Sequence, residues 1–441
     1  MTDRADGMDV VRAALKELKD AGADQAVASL TRGEKSELNV DSGRMSLYRT
    51  TANVSIGVMA LVGSRKGSVS VNDASPEAIR TAAKEAVTTA RAGRPDPANG
   101  ISPARELERF SRGQDKPDSE AMYARLREFV DYAGREYPDT MLEQCVLDFV
   151  AVDTFYANSN GAEFAERDGA YDFSAMFTTK KGGRASSFNS SGASHLSLDT
   201  PLAQWGTLDR LMRESAASLD ARPVDRAFKG DLILTPDCLG DFLSFLDDAY
   251  LGDYALITGN SPWKKKLGRR VLSPLVTVRS EPNGPRVELG YGYTGDGFRA
   301  ENCSIIEAGR LESFTLGLYG SNKTGLPRCP SGGGAVIMEP GGTPYADMLA
   351  SVKRGIVMSR FSGGSPSKNG DFSGVAKNSF LVEDGRIIRP LAETMVAGNL
   401  ARLFNDVRAV SKETVSFGSS ILPWVLCGGV HISGAVKGRG A

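Results

Sequence analysis

From Gly230 onward, short β-branched runs alternate with glycine: LSPLVTVRSE, CSIIEAGRLESFTLGLY, GGAVIME, GIVMSR, NSFLVEDGRII and SILPWVLCGGVHISG. Most of the chain's 49 glycines fall in this stretch. β-Branched and aromatic residues suit extended backbone, while glycine allows turns, bulges and close approaches that side chains forbid. The pattern predicts a large strand-rich domain over residues 228–441, with one helix near residues 237–250. Long loops joining rigid strands are also where sites tend to be built.

Two smaller α/β units precede it. MDVVRAALKELKDA carries apolar residues at helical spacing, and Gly22 follows as a C-cap. QAVASL, SELNV, ANVSIGVMALV and GSVSV read as strands. Ser75 and Pro76 then supply an N-cap and a first helical residue for a helix reaching about Arg91. This α-β-β-β-α unit, residues 1–100, ends in the linker AGRPDPANGISPA. SEAMYARLREFVDYAGREY opens a middle α+β unit, residues 112–222, which continues with two strand-like stretches and a helix over 201–219. The fold class expected is α+β.

Charge excludes some roles. Lys and Arg number 53 against 54 Asp and Glu, so no net field draws the chain to nucleic acid or an anionic membrane, and DNA binding is not expected. The apolar run ILPWVLC is far shorter than a membrane span needs, and the polar start MTDRADGMDV lacks a signal peptide's apolar core. Five scattered cysteines, with no C-x-x-C, argue against a disulfide framework and a structural zinc site. A cytoplasmic protein is expected.

The chain has two histidines, His195 and His431, so no histidine pair at helical spacing can ligate zinc. No nucleophile-elbow motif accompanies either one. GYGYTG matches G-x-G-x-x-G, but DGFRAENCSIIEAG after it leads into strands, which makes it a loop. S-x-x-K occurs at Ser261–Lys264 and at Ser365–Lys368, each with a proline that disfavours the helix start of a serine–lysine acylase. WKKKLGRR is a local basic run and reads as a solvated or partner-facing loop.

Four stretches, in order, resemble the TldD/PmbA family, once called modulators of DNA gyrase: LGRRVLSPLVTVRSEP; YTGDGFRAE leading into GRLESFTLGLYGSNKTGL; SGGSPSKNGDFSGVAKNSFLVEDGRI; and RPLAETMVAGNLARLF. The three-part layout is similar to the family's as well. The resemblance implies two branches that work as a pair. TldD-type subunits carry an H-E-x-x-x-H helix and a later cysteine that bind zinc, and they cleave unfolded or leader peptides. TldE/PmbA-type companions lack the metal site. The segment where that helix should lie, GDLILTPDCLGDFLSFLDDAYLGDY, has no histidine, and Asp237 and Asp241 do not replace two imidazoles. Cys427 does not sit where the ligand cysteine is expected.

The resemblance therefore implies a non-catalytic TldE/PmbA-like subunit with no cofactor of its own, zinc residing in a TldD-like partner. No catalytic or metal residue carries over. Homodimers of the isolated chain are allowed, because a surface shaped for a homologue can bind a copy of itself. An independent non-zinc hydrolase and a regulatory binding protein are the alternatives. The resemblance puts SGGSPSKNGDFSG at the border of a peptide cleft, with Ser362, Gly363, Gly364, Gly370, Asp371 and Phe372 as its candidate residues. On its own residues the stretch reads as an ordered loop between two strands, not a linker or a phosphate loop.

Overall fold

The structure is a computed structural model, and it describes residues 6–434. Two sheets organise them. The first contains β1 (Gln25–Asp41), β2 (Arg44–Val62), β3 (Arg65–Val71), β4 (Arg105–Gly113), β5 (Thr140–Asn158), β6 (Ala162–Lys181), β7 (Arg184–Ala185) and β8 (Asn189–His195). Its order is β3-β2-β1-β5-β6-β4, with β7 and β8 also pairing β6. Because β1 pairs antiparallel with β5, the strands of the first two sequence units form one continuous sheet.

Helices α1 (Gly7–Asp20), α2 (Pro76–Ala92), α3 (Ser119–Glu136) and α4 (Leu208–Ala217) accompany this sheet. Ala26, Ala28 and Leu30 of β1 pack with α1 and α2, while Leu38 and Val40 pack in the cluster of α3 and α4. These positions share parity, so the two helix pairs cover opposite ends of one face. Local signals set the helix ends. The Ser75 side chain accepts from the Ala78 N–H with Pro76 at the first turn, and Gly22 takes φ +101 just beyond α1. The helix expected over 201–219 is broken: a 3₁₀ turn spans Leu202–Gln204, and α4 starts only after Gly206 at φ +56.

The second sheet holds β9 (Phe228–Leu234), β10 (Val278–Ser280), β11 (Cys303–Glu307), β12 (Arg310–Leu311), β13 (Val336–Met338), β14 (Arg354–Gly363), β15 (Asp371–Glu383), β16 (Arg386–Leu391), β17 (Thr394–Asn399), β18 (Val407–Ser416) and β19 (Ser420–Gly434). Along β19-β17-β15-β14-β9 the strands pair in succession, and β9 pairs β19 again, so these five close into a ring. Closure removes free edges. Beyond β19 the sheet continues through β13, β10, β11 and β12. Helix α5 (Pro236–Leu246) leaves β9 with Pro236 at its first turn and buries Cys238, Leu239, Phe242 and Leu246 in the ring's core cluster. It stops short of the sequence expectation, because a π-helical turn takes over at Asp247–Leu251. Of LSPLVTVRSE only Val278–Ser280 is strand; the rest is irregular, with the Leu272 N–H donating to Gly309 O and the Val276 N–H to Ser273 O.

Candidate functional site

Helix α5 has two useful faces. One carries Phe242, which meets Phe361 of β14 and Phe372 of β15 edge-on at 5.5 and 5.2 Å. The other presents Gly240, Leu243 and Ser244 to a cavity of 640 Å³. Across it stand Val278 of β10, Ile305 and Ile306 of β11, and Gly333, Gly334 and Val336 leading into β13. Ser419, Ser420 and Leu422 close the remaining side, where β19 runs parallel to β13. The size falls within the usual range of ligand pockets, about 300–1,000 Å³.

The carboxylates of this cavity are Asp247, at the start of the π-helical turn, and Asp248 beside it. Thr315 Oγ1 donates to Asp247 Oδ1 at 2.6 Å. Burial pushes the Asp247 carboxyl up to about 6, and the Thr315 hydrogen bond opposes that only in part. Among the described residues, no Lys, Arg or His lines the cavity to hold the anion. A carboxyl poised there can give or take a proton near neutral pH.

The stretch singled out by sequence lies behind this helix, not on the cavity. Its middle, residues 364–370, is an ordered loop between two strands, as the sequence reading has it, and its ends belong to the strands of a β-hairpin. Ser362 and Gly363 end β14, Asp371 and Phe372 begin β15, and Gly363 pairs with Gly374. Gly364 and Gly370 belong to the intervening turn. Gly370 takes φ +84 with its backbone against the Tyr250 hydroxyl, which donates to Asn369 O at 3.0 Å. Asp371 accepts from the side chains of Asn399 and Asn369, each at 2.9 Å, and these bonds hold its carboxyl below the ordinary range. Phe372 is buried against α5. None of the six residues lines the cavity.

Other sequence features resolve into structural contacts. His195 Nδ1 lies 2.8 Å from Glu288 Oε1, with its ring edge-on to Trp205 at 4.5 Å, and His431 is exposed on β19 opposite Lys229. Gly292 of GYGYTG lies against the Phe110 ring and donates its N–H to Glu166 at 2.7 Å, so the motif serves a close approach of the C-terminal region to the first sheet. Ser261 Oγ donates to Tyr250 O at 2.7 Å, and Trp263 is buried and stacked on Tyr250. Asp237 accepts from Ser191, Thr207 and Arg210, in a seam between α4 and α5. A larger cavity of 1090 Å³ lies between α3, the 201–210 segment and Trp424; there Asp209 is already taken by Tyr132 and Tyr137 at 2.5 and 2.6 Å.

Residues 228–434 match the PmbA/TldA metallopeptidase C-terminal domain, and residues 26–90 match the PmbA/TldA metallopeptidase domain 1. The chain belongs to the PmbA/TldD family. Among relatives of this family, the metalloprotease PmbA of Escherichia coli O157:H7 is 24% identical over 447 residues, covering 92% of this chain and 93% of the relative. The fold is similar to that of TldE from Thermococcus kodakarensis, with TM-score 0.83 at 19% identity over 96% of this chain and 99% of the other. It is also similar to a Bacteroides thetaiotaomicron protein described as a modulator of DNA gyrase, with TM-score 0.84 at 22% identity over 97% and 98% of the two chains.

A metallopeptidase family implies a metal, and the resemblance places the zinc helix of the metal-bearing branch at α5. Here that helix and its π-turn offer the cavity two adjacent carboxylates, Asp247 and Asp248, and no imidazole or thiolate. Zinc needs three or four converging donors and favours nitrogen and sulfur, so these residues do not fit it. Among the described residues, no group of three or more His, Cys, Asp or Glu could hold a metal ion.

Asp237 and Asp241 are the aspartates of this segment that the resemblance brings forward, and no local pattern marks Asp247. Burial gives Asp247 its character, and Thr315, whose hydrogen bond opposes it, is distant in the chain and reaches it only through the fold.

Proposed function

We propose that this chain is the non-catalytic, TldE/PmbA-type subunit of a two-subunit peptidase whose zinc is carried by a TldD-like homologue. The observation that supports this most is the cavity face of α5. Leu243 and Ser244 stand there, with Asp247 on the π-helical turn that follows, in the segment that the resemblance assigns to zinc in the active branch. In this reading the cavity forms part of a chamber that holds unfolded or leader peptides for the partner to cut. Strands around such a chamber bind extended peptide mainly through backbone groups, with little side-chain selectivity. The hairpin at 362–374 contributes indirectly, by seating α5 through Phe372.

The test is reconstitution. The purified chain alone is expected to hold no stoichiometric zinc by elemental analysis and to leave unfolded peptide intact. Adding a TldD-like subunit should produce cleavage that a chelator stops. Cleavage by the isolated chain in the presence of a chelator would overturn the proposal and favour an independent non-zinc hydrolase.

A further inference from the structure

Two of the five cysteines are neighbours although 26 residues apart in sequence. Cys303 opens β11, and its Sγ lies 3.9 Å from Sγ of Cys329. Ser331 Oγ sits beside both, 3.3 Å from Cys303 Sγ and 3.2 Å from Cys329 Sγ. Their backbones run alongside: the Glu301 N–H donates to Pro330 O at 3.2 Å, and the Cys329 N–H is fixed on Leu316 O at 2.8 Å. Cys329 is fully buried and Cys303 half-buried, so solvent reaches the pair from the Cys303 side.

We propose that Cys303 and Cys329 are a peroxide-responsive dithiol that closes to a disulfide, tying β11 to the 329–334 segment on the wall of the α5 cavity. The remaining three cysteines, Cys145, Cys238 and Cys427, are buried. A disulfide needs its sulfurs at about 2.05 Å, so closure moves them together by roughly 2 Å, within reach of side-chain rotation and a small loop shift. The contact splits the two thiols: with the Ser331 hydroxyl it pulls the Cys329 thiol down to about 5 against its burial, and with burial it pushes the Cys303 thiol up, so the pair holds one proton that rests on Cys303.

The step balances. Transfer of that proton from Cys303 to Cys329 across the 3.9 Å contact puts the charge on the half-buried sulfur, and the Cys303 thiolate displaces hydroxide from hydrogen peroxide, giving a sulfenic acid. The hydroxide takes the proton of Cys329 as water. The Cys329 thiolate then attacks the Cys303 sulfur and expels hydroxide, which leaves as a second water once protonated by solvent. Two thiols and one peroxide give one disulfide and two waters. Ile305 and Ile306 of β11 and Gly333 and Gly334 line the cavity, so the bond would fasten two of its walls together. This holds whether or not a partner supplies the cleavage chemistry.

The test uses the whole protein. After brief exposure to hydrogen peroxide, the chain is unfolded, alkylated and digested with trypsin, which separates the two cysteines onto different peptides. The expected result is loss of two of the five alkylatable thiols, a Cys303–Cys329 cross-linked peptide two hydrogens lighter than its parts, and full recovery with dithiothreitol. If both cysteines stay alkylatable, or end as sulfinic acids without a cross-link, the proposal is overturned.

Discussion

At the scale of single residues, Asp247 gives the clearest expectation. Its carboxyl is pushed up to about 6 by burial, so between the ordinary carboxylate range and 6 the folded chain binds a proton that the unfolded chain has released. Stability from this group is therefore present at low pH and is lost as pH rises through about 6. Replacing Asp247 with Asn removes the titration. Relative to the parent, D247N should gain about 2 kcal/mol between pH 4 and pH 7, read from urea unfolding at each pH. Parallel curves for the two proteins would remove the burial argument. Nothing in LSFLDDAYLGD marks this aspartate above Asp248 beside it. Asp247 is raised by burial in a cavity whose other walls, Ile305, Ile306 and Val336 among them, are distant in the chain, and contacts that far apart in sequence leave no local pattern.

Among elements, the β14–β15 hairpin shows what a glycine-rich stretch conceals. Its composition was legible as ordered backbone, yet the roles of its glycines differ and the sequence does not rank them. Gly370 sits at φ +84 with its backbone on the Tyr250 hydroxyl, whereas a Cβ on Gly364 would meet open space. G370A should cost about 1–3 kcal/mol from the left-handed backbone alone, with the clash adding to it, while G364A should stay within about 0.5 kcal/mol. Equal effects in thermal or urea unfolding would remove the distinction. Helix starts were readable where the cap is local, as Ser75 with Pro76 shows. The break at Gly206 was not, because its φ of +56 serves the packing of Trp205, Leu208 and Leu211 into one core rather than a turn signature.

For the whole molecule, the seam between the first sheet's helices and the C-terminal strands carries much of the organisation. Arg210 of α4 pairs with Glu214 at 2.7 Å and with Asp237 of α5 at 2.8 Å, and Ser359 of β14 donates to Glu214 at 3.3 Å. Burial raises the Glu214 carboxyl, and Arg210 is the cation that opposes this. R210M leaves two half-buried carboxylates without their cation and should destabilise by about 3 kcal/mol. The loss should be larger at pH 8 than at pH 5, where Glu214, its carboxyl already raised by burial, can take up a proton instead. A pH-independent loss in denaturant melts would count against an electrostatic role for Arg210.

Strand order also dictates a timetable. The outer edge of β1 finds its partner only when β5, residues 140–158, has been made. β9 waits longer. Its neighbours are β14 from residue 354 and β19 from residue 420, so both of its edges stay open while the intervening chain is translated, at about 5–20 residues per second. Unpaired apolar strands exposed for that long are what ribosome-associated chaperones bind and what drives nascent chains to aggregate. The ring that leaves the finished domain without free edges along its five strands thus makes the unfinished one depend on protection, with β9, carrying Leu232, Ile233 and Leu234, as the segment most in need of it.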